Sequence, residues 1–123
     1  MTKSLFLDCD GVLADFDSGA EDVLGMSPAE YRAAFSEAAM WQALHAQPGF
    51  YADLPIMPLA RALYSALARY QPTILTGCPQ GGWAQSQKLY WRDINFPGVP
   101  MITTLSRNKR DHGAITAHQA TYW

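Results

Sequence analysis

Two acidic residues one position apart, Asp8 and Asp10, stand at the end of a compact apolar run near the start of the chain. Positions 4–9 have the length and composition of a short buried β-strand. Carboxylates held this close repel each other, and each resists ionisation unless a cation compensates. A hard cation with oxygen ligands, such as Mg²⁺, would do so. The bare pattern is also compatible with an ordinary acidic turn after a strand.

Hydrophobic periodicity predicts strands that alternate with helices along the rest of the chain. Helices are expected at positions 15–24, 28–37, 38–46, 59–70 and 83–94. Further strands are expected at 73–76 and 99–103. Gly25 is predicted to end the first helix, and Ser27 and Glu30 have the spacing of a capping box before the second. This alternation implies crossover connections and a parallel sheet.

Length, composition and charge limit which classes of protein and which partners are expected. The 123 residues suggest one domain, and 49% of them are hydrophobic, enough for a modest core. The net charge of −2, without a basic run, argues against binding to a nucleic-acid polymer. The apolar stretch at the N-terminus is too short for a signal peptide or a membrane span, so we expect a cytoplasmic protein that does not bind membranes. Cys9 and Cys78 are expected to be reduced thiols.

Ligands of parallel α/β sheets bind beyond the carboxyl ends of the strands. Asp8 and Asp10 are predicted to lie there, together with Thr76 and Gly77 at the end of the second strand and the segment after the third. The hydroxyl of Thr76 and a backbone N–H at the glycine can reach one phosphoryl oxygen together. Alone this signal is weak, because Thr-Gly turns are common.

A phosphate beside two carboxylates needs a cation to offset the charge, and two lysines are candidates. Lys109 follows the third predicted strand, where this class of fold places its site, so we choose Lys109. Lys88 lies within a predicted helix, and the alternative for it is an ordinary solvated helix residue.

These residues carry a resemblance to a known family. The run from Asp8 to Phe16, Asp-Cys-Asp-Gly-Val-Leu-Ala-Asp-Phe, resembles the first motif of the haloacid dehalogenase superfamily, and its Ala-Asp-Phe extension resembles the 5'(3')-deoxyribonucleotidases. Thr76-Gly77 is similar to the second motif. Arg107-Asn108-Lys109 is similar to a Thr-Arg-Asp-Lys run of these nucleotidases, and positions 88–91 are similar to their Lys-x-x-Trp pattern.

The resemblance implies a Rossmann-like, three-layer α/β core at 1–16 and 52–123, with a small helical cap inserted at about 17–51. It also implies magnesium-dependent hydrolysis of a phosphomonoester, with a nucleoside or deoxyribonucleoside monophosphate as the expected substrate. Asp8 would attack phosphorus and form an aspartyl-phosphate, while Asp10 would protonate the leaving group and then help to activate water. The Asp8 carboxylate and the Asp10 carbonyl would bind Mg²⁺, and Arg107 and Lys109 would lie near the phosphate.

In the same family, aromatic side chains of the cap hold the base of the nucleotide. Here Phe16, Trp41, Phe50 and Tyr51 are the matching candidates, although the spacing of the last three differs from the family's. The alternative is that these aromatic residues form the hydrophobic core of a small helical insert.

The resemblance covers positions 5–112. It implies a fourth motif, a strand that ends in paired aspartates, and the sequence after Lys109 offers only Asp111. We hypothesise a frameshift near position 112, because another frame of the codons for 118–123 permits Pro-Gly-Asp-Val-Leu. Weak magnesium binding and weak catalysis are then expected, or phosphate binding with little or no turnover. An unpaired sheet edge would favour a homodimer.

Overall fold

A computed structural model describes residues 5–105 of the chain. Three strands form one parallel sheet in chain order: β1 (Phe6–Leu7), β2 (Thr73–Cys78) and β3 (Met101–Leu105). Phe6 lies opposite Thr73 in the first pair, and Thr76 lies opposite Thr103 in the second. The prediction of a mixed α/β chain with a parallel sheet is confirmed.

The strands differ from their predicted spans at the ends. β1 is shorter, because the chain turns sharply after it: the amides of Val12, Leu13 and Ala14 all donate to the Cys9 carbonyl at 3.1, 2.8 and 2.9 Å. β2 extends past the predicted end at Thr76, because its pairing with β3 continues as far as Cys78 opposite Leu105. The prediction that Thr76 closes this strand was therefore wrong by two residues.

Five α-helices accompany the sheet within the described range: α1 (Phe16–Leu24), α2 (Pro28–Ala34), α3 (Glu37–Ala46), α4 (Ala60–Leu67) and α5 (Gln85–Asn95). The predicted helix at 59–70 is α4 followed by a 3₁₀ turn, Ala68–Tyr70. Helices α1, α2 and α3 pack against one another, and α5 packs against β3. None of these helices is long and apolar enough to cross a membrane.

Polar side chains fix where the first two helices begin. The Ser27 hydroxyl accepts from the Glu30 amide at 3.1 Å, and the Glu30 carboxylate accepts from the Ser27 amide at 3.2 Å, so the predicted capping box is confirmed. Asp15 caps α1 by accepting from the amide and the hydroxyl of Ser18. Gly25 ends α1 in the left-handed conformation with φ of 77°, as predicted.

The segment that contains α1, α2 and α3 begins and ends at the same place in the structure. Ala14 and Ile56 form an antiparallel bridge there. The Asp15 amide donates to the Pro55 carbonyl at 2.7 Å, and the Met57 amide donates to the Leu13 carbonyl at 2.8 Å. These contacts hold the two ends of the helical segment side by side, directly after the acidic turn that follows β1.

Helix α5 is anchored to the rest of the molecule by Trp91. Its side chain is fully buried, and the indole N–H donates to the Leu54 carbonyl at 2.8 Å. A buried indole needs such a partner, because an unpaired N–H in an apolar interior costs free energy. The contact fixes the rotation of α5, and with it the direction in which the neighbouring positions of the helix point.

Candidate active site

The acidic turn after β1 brings Asp8 and Asp10 to the carboxyl end of that strand. The Asp8 carboxylate accepts from the Cys9 amide at 2.9 Å. Gly11 lies between the acids and α1 with φ of 82°, a conformation that a side chain would strain. The turn therefore depends on glycine at this position to reverse the chain within a few residues.

Lys88 joins the two strands at this end of the sheet. Its ammonium donates to the Asp10 carboxylate at 2.8 Å, to the Thr76 hydroxyl at 2.7 Å and to the Gly77 carbonyl at 3.0 Å. A lysine ammonium has three N–H donors, so these contacts use all of them. We call Asp10, Thr76, Gly77 and Lys88 the Lys88 cluster.

The expectation that Lys88 is a solvated helix residue was wrong. Only 2% of its side chain is exposed, compared with 29% for that of Asp10. A buried ammonium is tolerated only where a counter-charge and hydrogen-bond acceptors replace water. The Asp10 carboxylate and the two oxygens of β2 supply them, so burial of this cation and placement of the acidic turn depend on each other.

Tyr51 covers the other side of the ammonium. The Lys88 nitrogen lies 4.5 Å from the centre of the Tyr51 ring, within the range of a cation–π contact. The Tyr51 amide donates to the side-chain carbonyl of Gln87 at 2.8 Å, which ties the residue to α5. Burial raises the pKa of the Tyr51 phenol far above its usual value, and the nearby Asp10 charge adds to the increase.

The Cys78 thiol shares this environment. Burial raises its pKa, the Lys88 ammonium opposes that increase, and the Asp10 carboxylate adds to it. Cys9 is also buried. Low-pKa thiolates are the reactive form of cysteine, so the raised pKa argues against Cys78 as a nucleophile at neutral pH.

The two carboxylate oxygens of Asp10 have different surroundings. Oδ2 accepts from Lys88, while Oδ1 is buried and has no hydrogen-bond partner among residues 5–105. A buried carboxylate oxygen without a partner is unfavourable unless a proton or a cation compensates. Mg²⁺ is commonly held by one or two carboxylates together with waters and substrate phosphate, so Asp8 and Asp10 fit such an ion. No group of three or more metal-ligating side chains occurs within the described range.

The four aromatic candidates do come together, as one cluster of rings. The Phe16 ring centre lies 6.1 Å from Trp41, 5.6 Å from Phe50 and 6.1 Å from Tyr51. We call these four residues the aromatic cluster. Phe50 and Tyr51 are 3% and 1% exposed, whereas Phe16 and Trp41 are half-buried. Only the latter two are open to a ligand in this conformation, and a role in holding a base stays a prediction for all four.

A cavity of about 650 Å³ lies between α3 and the carboxyl ends of β2 and β3. Trp41 and Trp83 line it, and Cys78 and Leu105 contribute from the ends of the two strands. The cavity does not include Asp8, Asp10 or Lys88. It is linked to the Lys88 cluster through Tyr51, whose ring centre is 5.3 Å from that of Trp83.

Two predicted site residues, Arg107 and Lys109, lie outside the described residues, as does the proposed frameshift. The choice of Lys109 over Lys88 therefore stays a prediction. Comparison with protein-family models finds no match, and comparison with curated proteins finds none either. What can be inferred about function rests on the motifs and on the geometry of the site.

Sequence reasoning missed Trp83 and Gln87, and it gave Lys88 the wrong environment. A signal for Lys88 was present, because it follows Ala84 by four residues and precedes Trp91 by three, which places all three on one face of a helix. Ala84 and Trp91 are both fully buried. A lysine in the middle of an apolar helix face indicates either an error in the predicted helix or a buried counter-charge.

Proposed function

We propose that this chain is a phosphomonoester hydrolase of the haloacid dehalogenase type, with a nucleoside monophosphate as substrate and Mg²⁺ as cofactor. The finer architecture proposed with it is a Rossmann-like, three-layer core with a helical cap. The observation that carries the proposal is the Lys88 cluster, a buried ammonium bound to Asp10 and Thr76 at the strand ends where the first two motifs fall.

Asp8 is the proposed nucleophile. One of its carboxylate oxygens forms a bond to phosphorus while the bond to the leaving alkoxide breaks, which gives an aspartyl-phosphate and an alcohol. The contact from the Cys9 amide to Oδ1 helps to orient the carboxylate. Water then attacks phosphorus, releases inorganic phosphate and regenerates the Asp8 carboxylate.

Asp10 is the proposed acid and base. Because Oδ2 is held by Lys88, Oδ1 is the oxygen that carries the proton to the leaving group and later accepts one from water. Lys88 is a positioning residue in this scheme, since it fixes the Asp10 carboxylate against Thr76. The family resemblance implies that Lys109 and Arg107 would supply positive charge at the phosphate itself.

The Asp8 carboxylate and the Asp10 backbone carbonyl would hold the Mg²⁺ ion, which would supply positive charge that offsets the repulsion between the carboxylates and the phosphate. The Thr76 hydroxyl accepts from Lys88 and keeps its own O–H for a phosphoryl oxygen. The chain's own residues therefore provide a nucleophile, a proton carrier and a hydroxyl donor at one end of the sheet.

A second candidate is a protein that binds phosphate or a nucleotide with little or no turnover. All three N–H donors of Lys88 are already used by protein oxygens, so a phosphate can contact this ammonium only by displacing one of them. That favours a site in which Lys88 maintains structure rather than meeting the substrate.

The test is release of inorganic phosphate from 4-nitrophenyl phosphate with and without Mg²⁺. Asp8→Asn should abolish release, because an amide is not a nucleophile here. Asp93→Asn is the matched control, since Asp93 is an exposed carboxylate on α5, and it should leave the rate unchanged. Full activity in Asp8→Asn would end the aspartyl-phosphate proposal. No release by the wild type, together with thermal stabilisation by phosphate, would support the second candidate.

A further inference from the structure

The last turn of the helical segment, positions 51–54, is held against α5 at both of its ends. The Tyr51 amide donates to the side-chain carbonyl of Gln87 at 2.8 Å, and the Leu54 carbonyl accepts from the Trp91 indole at 2.8 Å. Gln87 and Trp91 are four residues apart, so they lie on one face of the helix. Two side chains of one helix face therefore fix the first N–H and the last carbonyl of a single turn.

Lys88 follows Gln87 on α5 and contacts the same turn. Its ammonium lies 4.5 Å from the centre of the Tyr51 ring, and 2.7 to 3.0 Å from three oxygens of the Lys88 cluster. Adjacent residues of α5 therefore contact one residue of the helical segment, Gln87 at the backbone of Tyr51 and Lys88 at its ring.

The position of the Tyr51 ring matters because the ring helps to keep water from the Lys88 ammonium. Both side chains are almost fully buried, and hydrogen bonds to a charged group are stronger where water is excluded. Three neighbouring rings lie 5.0 to 6.1 Å from the centre of the Tyr51 ring, but dispersion contacts impose little direction. The hydrogen bond to Gln87 is directional, so it determines where along α5 the ring lies.

We propose that Gln87 is a positioning residue for Asp10 and acts through Tyr51. It holds the Tyr51 backbone so that the ring excludes water from the Lys88 ammonium, and the ammonium in turn fixes the Asp10 carboxylate. Alignment of Asp10 therefore requires that the end of the helical segment is docked on α5. The effect on turnover rests on the proposed function, in which Asp10 carries the proton, whereas the series of contacts does not. Gln87 lies outside every motif that carried the family resemblance.

Hydrogen exchange, measured by nuclear magnetic resonance on the isotope-labelled chain, tests these contacts without reference to catalysis. Gln87→Met keeps the length of the side chain and removes the acceptor, so exchange at the Tyr51 amide should become about fivefold faster, as expected for the loss of one hydrogen bond. Exchange of the Lys88 ammonium protons should become faster as well, because the ring no longer excludes water. The matched control is Gln85→Met, the same change at an exposed position of α5, which should alter neither rate.

Two further variants separate the hydrogen bond from a general loss of stability. Gln87→Glu keeps an acceptor oxygen at the same reach, so both exchange rates should stay within about twofold of the wild type. Gln87→Asn keeps the amide on a shorter side chain and should behave as Gln87→Met, so it carries the test if the Met variant fails to fold. Faster exchange at the Tyr51 amide with an unchanged Lys88 ammonium would show that Gln87 only stabilises the turn, and would overturn the proposal.

Turnover of 4-nitrophenyl phosphate with Mg²⁺ tests the effect on Asp10. Gln87→Met should lower kcat about tenfold and change KM by less than about twofold, because a misaligned proton donor slows the chemical step while the phosphate keeps its contacts. Gln87→Glu should restore most of the rate. An unchanged kcat for Gln87→Met in an active chain would overturn the positioning role. A wild type that releases no phosphate, together with the two coupled changes in exchange, would count against the hydrolase and support the positioning by Gln87.

Discussion

The Lys88 cluster and the aromatic cluster lie next to each other, because Tyr51 of the aromatic cluster covers the Lys88 ammonium, yet they are held by different forces. The first depends on three hydrogen bonds from one nitrogen, each between 2.7 and 3.0 Å. The second depends on several ring contacts at 5.0 to 6.1 Å, none of which is indispensable by itself. Directional contacts fail when one atom is removed, whereas dispersion contacts can be redistributed among neighbours.

The two clusters therefore differ in how well they tolerate substitution. Precise positioning of the acidic turn depends on a single side chain, Lys88. The shape of the aromatic cluster depends on total aromatic volume, which several residues share. Substitutions in the Lys88 cluster should therefore reduce stability strongly even when they remove little volume. In the aromatic cluster, the loss of stability should scale with the volume removed.

The largest effect is expected for Lys88→Met, which keeps the length of the side chain and removes the charge. It leaves the Asp10 carboxylate without its cation and the Thr76 hydroxyl without a donor. Loss of one partner of a buried pair costs about 3–5 kcal/mol, and the partial exposure of Asp10 favours the lower end, about 3 kcal/mol. Urea unfolding measures the change.

The control for this variant is Asp93→Asn, which removes the exposed Arg92–Asp93 ion pair on the same helix. An exposed pair contributes less than about 1 kcal/mol. If both variants lost the same stability, the buried ammonium would have no special role, and the contrast between the two clusters would disappear.

A smaller effect is expected for Phe50→Leu in the aromatic cluster. Leucine keeps most of the volume, and hydrophobic substitutions that conserve volume usually cost less than about 1.5 kcal/mol. The same urea titration gives the comparison directly. A loss as large as that of Lys88→Met would show that the rings are as specifically placed as the hydrogen bonds.

The smallest effect, and one confined to alkaline pH, is expected for Tyr51→Phe. Burial raises the folded-state pKa of Tyr51 above its unfolded value of about 10, so the phenol contributes stability that is lost as pH rises above about 10. Phenylalanine keeps the ring beneath Lys88 and removes this loss. Thermal melting from pH 7 to 11 should give similar curves at pH 7 and a more stable variant at pH 11.

Cys78 contributes a second loss of stability with rising pH in the same experiment. Its pKa is also raised, so its contribution begins to be lost above the ordinary thiol value of about 8.5. The Tyr51→Phe variant should therefore keep the decline in stability that begins above about pH 8.5 and lack the further decline above about pH 10. Identical curves for the two proteins at every pH would contradict the burial of the phenol.

Local signals in the sequence were enough to predict much of the fold. The capping box at Ser27 and Glu30 and the stop at Gly25 act within a few residues, so the start of α2 and the end of α1 followed from them. The β-branched run that begins at Thr73 identified β2. The end of that strand did not follow, because it is set by pairing with β3 rather than by the composition of β2.

The candidate site was predictable only in part, for a physical reason. Asp8 and Asp10 follow the end of β1, and Thr76 lies two residues before the end of β2. Parallel topology brings these ends together whatever the side chains are. The environment of Lys88 depends on the rotation of α5, which is fixed by the distant contact between Trp91 and Leu54. From the sequence alone, burial of Lys88 would be expected to cost free energy. The oxygens of Asp10, Thr76 and Gly77 that offset this cost can be identified only when the position of α5 is known.

The bridge between Ala14 and Ile56 brings together the two ends of the helical segment at positions 15–55. Because its two ends leave the molecule side by side, a short turn could join them without moving either neighbouring strand or the acidic turn. The same junction could accept a longer or differently shaped insert, and closing even a much longer loop there costs little additional entropy. An exchanged segment would have to keep an aromatic ring at Tyr51, which covers the Lys88 ammonium, and the carbonyl at Leu54, which anchors Trp91.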